Sequence, residues 1–450
     1  MGGWLTYRRM ALSFVGVALL GLVLVAGLAC RAAPGPTPTP RTPAAPAGPP
    51  AGAPKELKVA LVDFLSGPPA KFGTSAINAG KMLLDQINQQ GGIRGVPIRY
   101  IVVDEAGAVD KVVAEFRRLV LDERVDAVIG YTSSSNCLAI APVAEELKTL
   151  TLVHICGTSR LFEDNQYKYV FRTSAHQALD NISAALYVLK VKPDVKTIAG
   201  INDDYAWGRD SWAAFKAAML KLKPDVKVVD ELWPRLYQGE YSAEITKLLA
   251  EKPDVIHTSL WGGHMDAFIK QAEARGLFKQ SLVVMTTAET ALLTLGKDMP
   301  DGVAITGRGQ YLLRPDQEKN PLTKKFVDDY VARYNEFPIY PAFRMAQAVY
   351  ALKAGYEKAI DQAGRWPTTD QVIKALEFLE FDTPTGRVKM ALGNGHQAVQ
   401  DAVWGITSAK RHDRFGFPLL EKTEVFKAAE VNPAAGMKTE EWIQKALTRR

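Results

Sequence analysis

From Leu57 to Phe64 the chain reads LKVALVDF, an apolar run rich in valine and leucine that predicts a buried strand. SGPPAKFG makes a turn. AINAGKMLLDQINQ then sets Ile77, Met82, Leu83 and Ile87 on one helical face, until Gly91-Gly92 stop it. VPIRYIVVD is a second strand, and VDKVVAEFRRLVLDE a helix with Val112, Val113, Phe116, Leu119 and Val120 along one side. VDAVIGY, NCLAIAPVAEELK and LTLVHIC continue as strand, helix and strand. Strands alternating with single helices imply a parallel sheet covered on both faces.

The alternation restarts at Val195. VKTIAGIN, VKVVDELW, PDVIHTSLW and SLVVMTT read as strands, and DSWAAFKAAMLKL, EYSAEITKLLAEK and AFIKQAEARGLF as the helices between them. Two similar βαβ runs in succession are architectural repetition, not a short solenoid period. The fold class is therefore α/β, with two doubly wound parallel-sheet lobes and a cleft at the carboxyl ends of their strands. Tyr169–Arg172 is a short extended piece and Thr173–His176 a helix start, together a first crossing between lobes. Val303–Tyr311 is a second. Two helices follow from Asn320, then QVIKALEFLEF, then a pair of strands in TPTGRVKMALGNGHQAVQDAVWGI. MKTEEWIQKALTRR ends the chain as a short surface helix.

The N-terminal stretch has another character. Arg8 and Arg9 precede an uncharged run, Met10 to Ala29, with the small residues Ala26, Gly27 and Ala29 at its end, which reads as a secretory signal over residues 1–29. Gly27-Leu28-Ala29-Cys30 resembles a bacterial lipobox, with Gly27 where leucine is usual, so Cys30 would carry lipid. An ordinary signal peptide or an uncleaved anchor is the alternative. Residues 30–54 are Pro/Ala-rich with no periodic apolar face, an extended tether holding a body away from a membrane. Two acyl chains anchor stably where one is marginal.

Composition narrows the function classes. The formal charge is +6, with no basic run of five, which argues against nucleic acid as a partner. Of three cysteines, Cys137 and Cys156 fall in loops after neighbouring strands and suit a disulfide in an exported body, with two buried thiols as the alternative. No GxSxG, GxxxxGK[ST] or HExxH occurs. His257 and His264 lack partners at zinc spacing and read as structural, and Asp203-Asp204 as turn and helix-start residues. No enzyme activity, cofactor or metal is expected.

At this point a resemblance applies. Leu65-Ser66-Gly67-Pro68, Gly73, Ile87-Asn88, Gly91-Gly92-Ile93, Gly95, Ile98 and Asp104 fall in order, as do Tyr167 to Thr173 and YAWGRD. They resemble the type I periplasmic solute-binding proteins, in the leucine/isoleucine/valine-binding (branched-chain amino acid) family of ABC importers, in lipoprotein form. The resemblance covers about residues 55–410. It implies three hinge crossings, the third near Asp382 to Thr385. The first lobe would then be residues 55–172 plus 309–383, the second 173–308 plus 384–418, and 419–450 a C-terminal extension. It implies a monomer on the outer face of a bacterial membrane, lipid-anchored. Such a protein holds a small amino acid or related carboxylate or amide between its lobes and delivers it to a membrane permease. The alternative is a sensor of the same fold that feeds a signalling receptor.

Particular residues then stand out. The GYTSSSNC loop suits a ligand carboxylate at a helix N-terminus, through Ser134 or Ser135, although Ser135 or Asn136 could simply cap the helix. Gly157 and Thr158 match a small residue and a hydroxyl used by the family, or form a turn. Trp207 stands where tyrosine is common and could stack on the ligand with one directed N–H, with Tyr205 its rival and Trp261 a second aromatic. Plain packing is the alternative for both tryptophans. Glu289 is placed to meet an amino-acid ammonium, or is a helix first-turn charge. With Glu289 outside the cleft, the ligand becomes an amide, a urea-like compound or a plain carboxylate.

Overall fold

The computed structural model describes residues 48–309 and 319–448. The expected leader, the lipidation site at Cys30 and most of the tether lie outside the described residues. Among the described residues no helix is long and apolar enough to cross a membrane.

The first βαβ run supplies β1 (Leu57–Asp63), β2 (Ile98–Asp104), β3 (Ala127–Gly130), β4 (Leu150–Val153) and β5 (Val170–Arg172). The second supplies β6 (Thr197–Ile201), β7 (Lys227–Leu232), β8 (Val255–Thr258), β9 (Leu282–Met285) and β10 (Ala304–Thr306). Near the C-terminus follow β11 (Glu380–Thr383), β12 (Gly386–Leu392), β13 (Gln397–Val399), β14 (Ala402–Arg411) and β15 (Pro418–Phe426). They form an eight-stranded sheet in the order β11-β12-β13-β5-β4-β3-β1-β2 and a seven-stranded sheet in the order β15-β14-β10-β9-β8-β6-β7. Among themselves β1 to β5 pair in parallel, as do β6 to β10, and β10 also pairs antiparallel with β14. β1 pairs with both β2 and β3, and β6 with both β7 and β8, so each sheet has its topological switch beside its first strand. Ligands of open α/β sheets bind at such points.

Local chemistry explains the elements. β3 and β4 are buried throughout, as strands covered by helices on both faces must be. The helix Ala70–Gln89 buries Phe72, Ile77, Met82, Leu83 and Ile87 against the first sheet and the long helix Tyr340–Ala363. It ends at Gly91 and Gly92, both in the left-handed region, and a Cβ on Gly92 would lie 2.1 Å from the Val96 carbonyl oxygen.

Two expectations are corrected. Asp382 to Thr385 is not the third passage between lobes: β11 and β12 form an antiparallel hairpin there, and both belong to the first sheet. The chain passes to the second sheet between β13 and β14, at Gln400-Asp401. TPTGRVKMALGNGHQAVQDAVWGI therefore yields three strands, β12 to β14, shared between two sheets. Nor is the stretch from Leu419 an appendage. β15 pairs antiparallel with β14, and Val431, Trp442, Ile443 and Leu447 enter the core of the second lobe beside Trp212, Phe215 and Trp404. The end of the expected tether is likewise built into the body, where Ala51 accepts a hydrogen bond from Trp366 N at 2.9 Å.

Candidate ligand site between the lobes

The loops at the carboxyl ends of both sheets face one another around a space of about 270 Å³. Phe72, Thr132, Ser134, Ile155, Gly157 and Tyr340 form the wall on the first lobe. Tyr205, Trp207, Trp261, Thr287 and Arg308 form the other. The space is small because the lobes touch. Trp207 lies flat on Gly157, where even a Cβ would come 2.2 Å from the indole. At the rim, Asp210 of the second lobe takes the Thr158 hydroxyl at 2.5 Å and Arg160 Nε at 3.0 Å. Gly263 N reaches the Pro68 carbonyl at 3.4 Å.

Six of the eight proposed contact residues fall against this space or its wall: Ser134, Gly157, Tyr205, Trp207 and Trp261 line it, and Thr158 adjoins it. Several of their polar atoms already have partners in the protein. Thr158 gives its hydroxyl to Asp210 and so joins the lobes. Trp207 donates its N–H to the Ser259 carbonyl at 2.8 Å, which locks the ring as an apolar wall with no donor to spare. Ser135, half-buried on the next helical position, is outside the lining.

Glu289 is also outside the lining. It is buried below the pocket, where Oε2 accepts Gly309 N at 2.7 Å. Burial pushes its pKa up to about 7, against the pull of the Gly309 N–H and the Arg344 and Arg308 guanidiniums. The ammonium partner expected of an amino-acid binder is thus not placed against the pocket by Glu289, and no acidic side chain is among the described lining residues.

Sequence reading missed three residues of consequence. Glu105, fully buried, accepts from Thr132 N at 2.7 Å, Ser133 N at 2.9 Å and Asn136 Nδ2 at 2.9 Å. It occupies donors at the start of the helix Ser134–Glu146 that a ligand carboxylate would otherwise take. Burial and then Asp63 push its pKa well up. Tyr340 opens the long helix and faces the pocket. Arg308, 4% exposed, is the one charged side chain among the described lining residues. Its Nη2 lies 3.2 Å from Asp180 Oδ2, and its guanidinium carbon sits 4.6 Å from the Tyr340 ring centre and 5.3 Å from that of Trp207. Burial opposes the Arg308 charge, but Asp180, Tyr340 and Glu289 together hold its pKa above the ordinary value. Arg308 Nε has no hydrogen-bond partner among the described residues, and neither has the buried Thr132 Oγ1. The pocket therefore offers a cation, unfilled donors and aromatic walls.

Cys137 and Cys156 are paired as a disulfide with Cα atoms 6.4 Å apart, behind the pocket. His257 is buried, with Nε2 2.7 Å from Asn181 Oδ1 and its ring stacked on Phe215, and burial lowers its pKa to about 3. His264 is buried 3.3 Å from Asp203. Among the described residues no group of histidine, cysteine or carboxylate side chains could hold a metal.

Two lobes of mostly parallel sheet, three crossings and a pocket at facing switch points are the architecture of a clamshell binding protein. The profile of the periplasmic binding protein family matches residues 56–409, and the chain belongs to that family, as a type I periplasmic binding protein. It is similar to the Leu/Ile/Val-binding protein of Escherichia coli (strain K12), at 24% identity over 333 residues, 74% of this chain and 86% of that one. Among solved structures it resembles a solute-binding protein of an ABC transporter from Rhodopseudomonas palustris BisB5 in complex with 3,4-dihydroxybenzoic acid. The TM-score is 0.72 at 23% identity, over 83% of this chain and 98% of that one. A second, from R. palustris in complex with benzoate, gives TM-score 0.72 at 22% identity over 85% and 99%. The chain is a substrate-binding protein, and its family members serve transport, not catalysis.

Proposed function

We propose that this protein captures a small carboxylate with a flat apolar body, of the benzoate kind, and hands it to the permease of an ABC importer. The carrying observation is Arg308: among the described lining residues a buried, charged guanidinium is the one ionic group, beside walls of Phe72, Tyr205, Trp207, Trp261 and Tyr340. A buried cation with an unfilled donor favours an anion. A zwitterionic amino acid would bury its ammonium here without a carboxylate partner, which costs several kcal/mol (about 3–5). That structural neighbours were solved with benzoate and 3,4-dihydroxybenzoic acid supports the same ligand class. Ser134 and Thr132 supply hydroxyls to the carboxylate, and Gly157 with Trp207 and Trp261 sandwiches the body. Contacts from both lobes favour the closed form by a shift of population about the hinge. The protein acts as a monomer outside the cytoplasmic membrane, held by lipid on Cys30 through the proline-rich tether.

Thermal-shift titration of residues 31–450 tests this. Benzoate and hydroxybenzoates raise the melting temperature with concentration, as ligands of the folded form do. Leucine, isoleucine and valine leave it unchanged, and benzamide raises it far less than benzoate does. A shift with the amino acids alone would overturn the assignment.

A further inference from the structure

Away from the cleft, a second and larger cavity opens where the hinge meets the C-terminal segment. Its walls come from the loop after β4, the first crossing, the β12–β13 connection and residues 433–438. This last stretch lies beyond residue 409, where the family match ends.

Two side chains at its base carry unused donors. Arg172 is 1% exposed. Its Nη1 donates to the Cys156 and Thr158 carbonyls at 2.9 and 2.6 Å, and its Nε to the Gln397 side chain. Nη2 makes no hydrogen bond to the described residues. His176 is 3% exposed, and its Nδ1 accepts from Ala178 N at 3.3 Å. The neutral ring therefore carries its proton on Nε2, which has no partner among the described residues either. Burial and then the neighbouring Arg172 hold His176 neutral. Both acids of the lining have hydrogen-bond or ionic partners: Glu163 accepts the N–H and hydroxyl of Thr439 while its charge also bears on Arg172, and Asp164 pairs with Lys438 at 2.8 Å.

We propose that this cavity is a second ligand site, taking a small carboxylate whose oxygens accept from Arg172 Nη2 and His176 Nε2. Both nitrogens are left open to the cavity by their own bonds, and a carboxylate there would accept a charge-assisted bond from the guanidinium and a second from the imidazole N–H. The site is separate from the Arg308 pocket and does not depend on the ligand assigned there.

Bromoacetate is the probe. Soaked crystals of the full chain show an anomalous bromine peak beside Arg172 and His176, distinct from any peak at Arg308. In solution, propionate titrated by calorimetry at constant ionic strength gives a binding event that weakens at least tenfold in His176→Phe. Should that variant fail to fold, Ala434→Trp fills the cavity from its exposed rim and has the same effect. A bromine peak only at Arg308, or propionate binding unchanged in the variants, overturns the proposal.

Discussion

Replacing Arg308 by lysine isolates its role better than truncation does. Removing the charge would leave Asp180 buried beside an empty space, and breaking a buried pair costs about 3–5 kcal/mol of stability. A loss of binding would then be confused with a loss of fold. Lysine keeps a cation opposite Asp180, 3.2 Å from the present guanidinium, and removes the planar fork that grips a carboxylate bidentately. Hydrogen bonds to charged groups contribute about 1.5–3 kcal/mol. Arg308→Lys should therefore weaken benzoate binding roughly 10- to 150-fold in Kd. The melting temperature without ligand should stay near that of the parent. Isothermal titration gives the affinity and circular dichroism the fold. Benzamide serves as the control: it binds weakly to both proteins, and the substitution changes its affinity little. Undiminished benzoate affinity in Arg308→Lys would refute the reasoning, as would an equal loss for benzamide, because the carboxylate would then be held elsewhere.

The remaining predictions are these. Gly157→Ala puts a Cβ 2.2 Å from the Trp207 ring, which must back away by about an ångström. Overpacking of this kind costs about 1–3 kcal/mol, here from the closed form, so benzoate affinity falls roughly 5- to 150-fold by calorimetry while the melt without ligand hardly moves. Glu289 has a folded pKa raised to about 7, above its unfolded value, so its contribution to stability is complete at low pH and lost as pH rises through 7. Relative to Glu289→Gln, the parent should lose at most about 3 kcal/mol between pH 4.5 and 7.5 in urea titrations, and a flat difference refutes the placement. Reduction of Cys137–Cys156, whose sequence separation is 19, should lower stability by about 3 kcal/mol and leave benzoate affinity within twofold, since neither sulphur lines the pocket.

The alternation of apolar strands and amphipathic helices was enough to read two doubly wound lobes, because strands such as Ala127–Gly130 are buried on both faces and show it as an unbroken apolar run. Sheet membership is another matter. β12, β13 and β14 are successive strands of similar composition, and nothing local in them says which sheet each joins. The third passage was therefore misplaced by a hairpin. The loops of the site were legible because they follow strands at a switch point, but the direction of each side chain was not. Thr158 and Trp207 have their polar atoms claimed by Asp210 and Ser259, residues distant in sequence. Glu105 acts on a helix start 27 residues away, with no local sign. Arg308 did leave one: a lone charge between glycines in VAITGRGQY, inside a segment that had to cross between lobes.

That position explains how ligand and hinge communicate. Arg308 follows β10 on the second crossing, and its partner Asp180 lies on the helix Gln177–Val191 that follows the first. Arg344, buried nearby, donates to Gln347 at 3.1 Å and to the Gln400 side chain, and Gln400 sits at the third passage. Gln400 and Gln347 both donate to Thr385 Oγ1, at 3.0 and 2.6 Å. Burial and then Arg308 lower the pKa of Arg344 to about 10, so two guanidiniums repel within a cluster offset by Asp180 and a raised Glu289. A ligand carboxylate on Arg308 adds the negative charge that this cluster lacks, and does so with the lobes together. On the proposed assignment, the ion contact that recognises the ligand would relieve repulsion between Arg308, on the second crossing, and Arg344, bonded to the third, and would so tie ligand capture to closure.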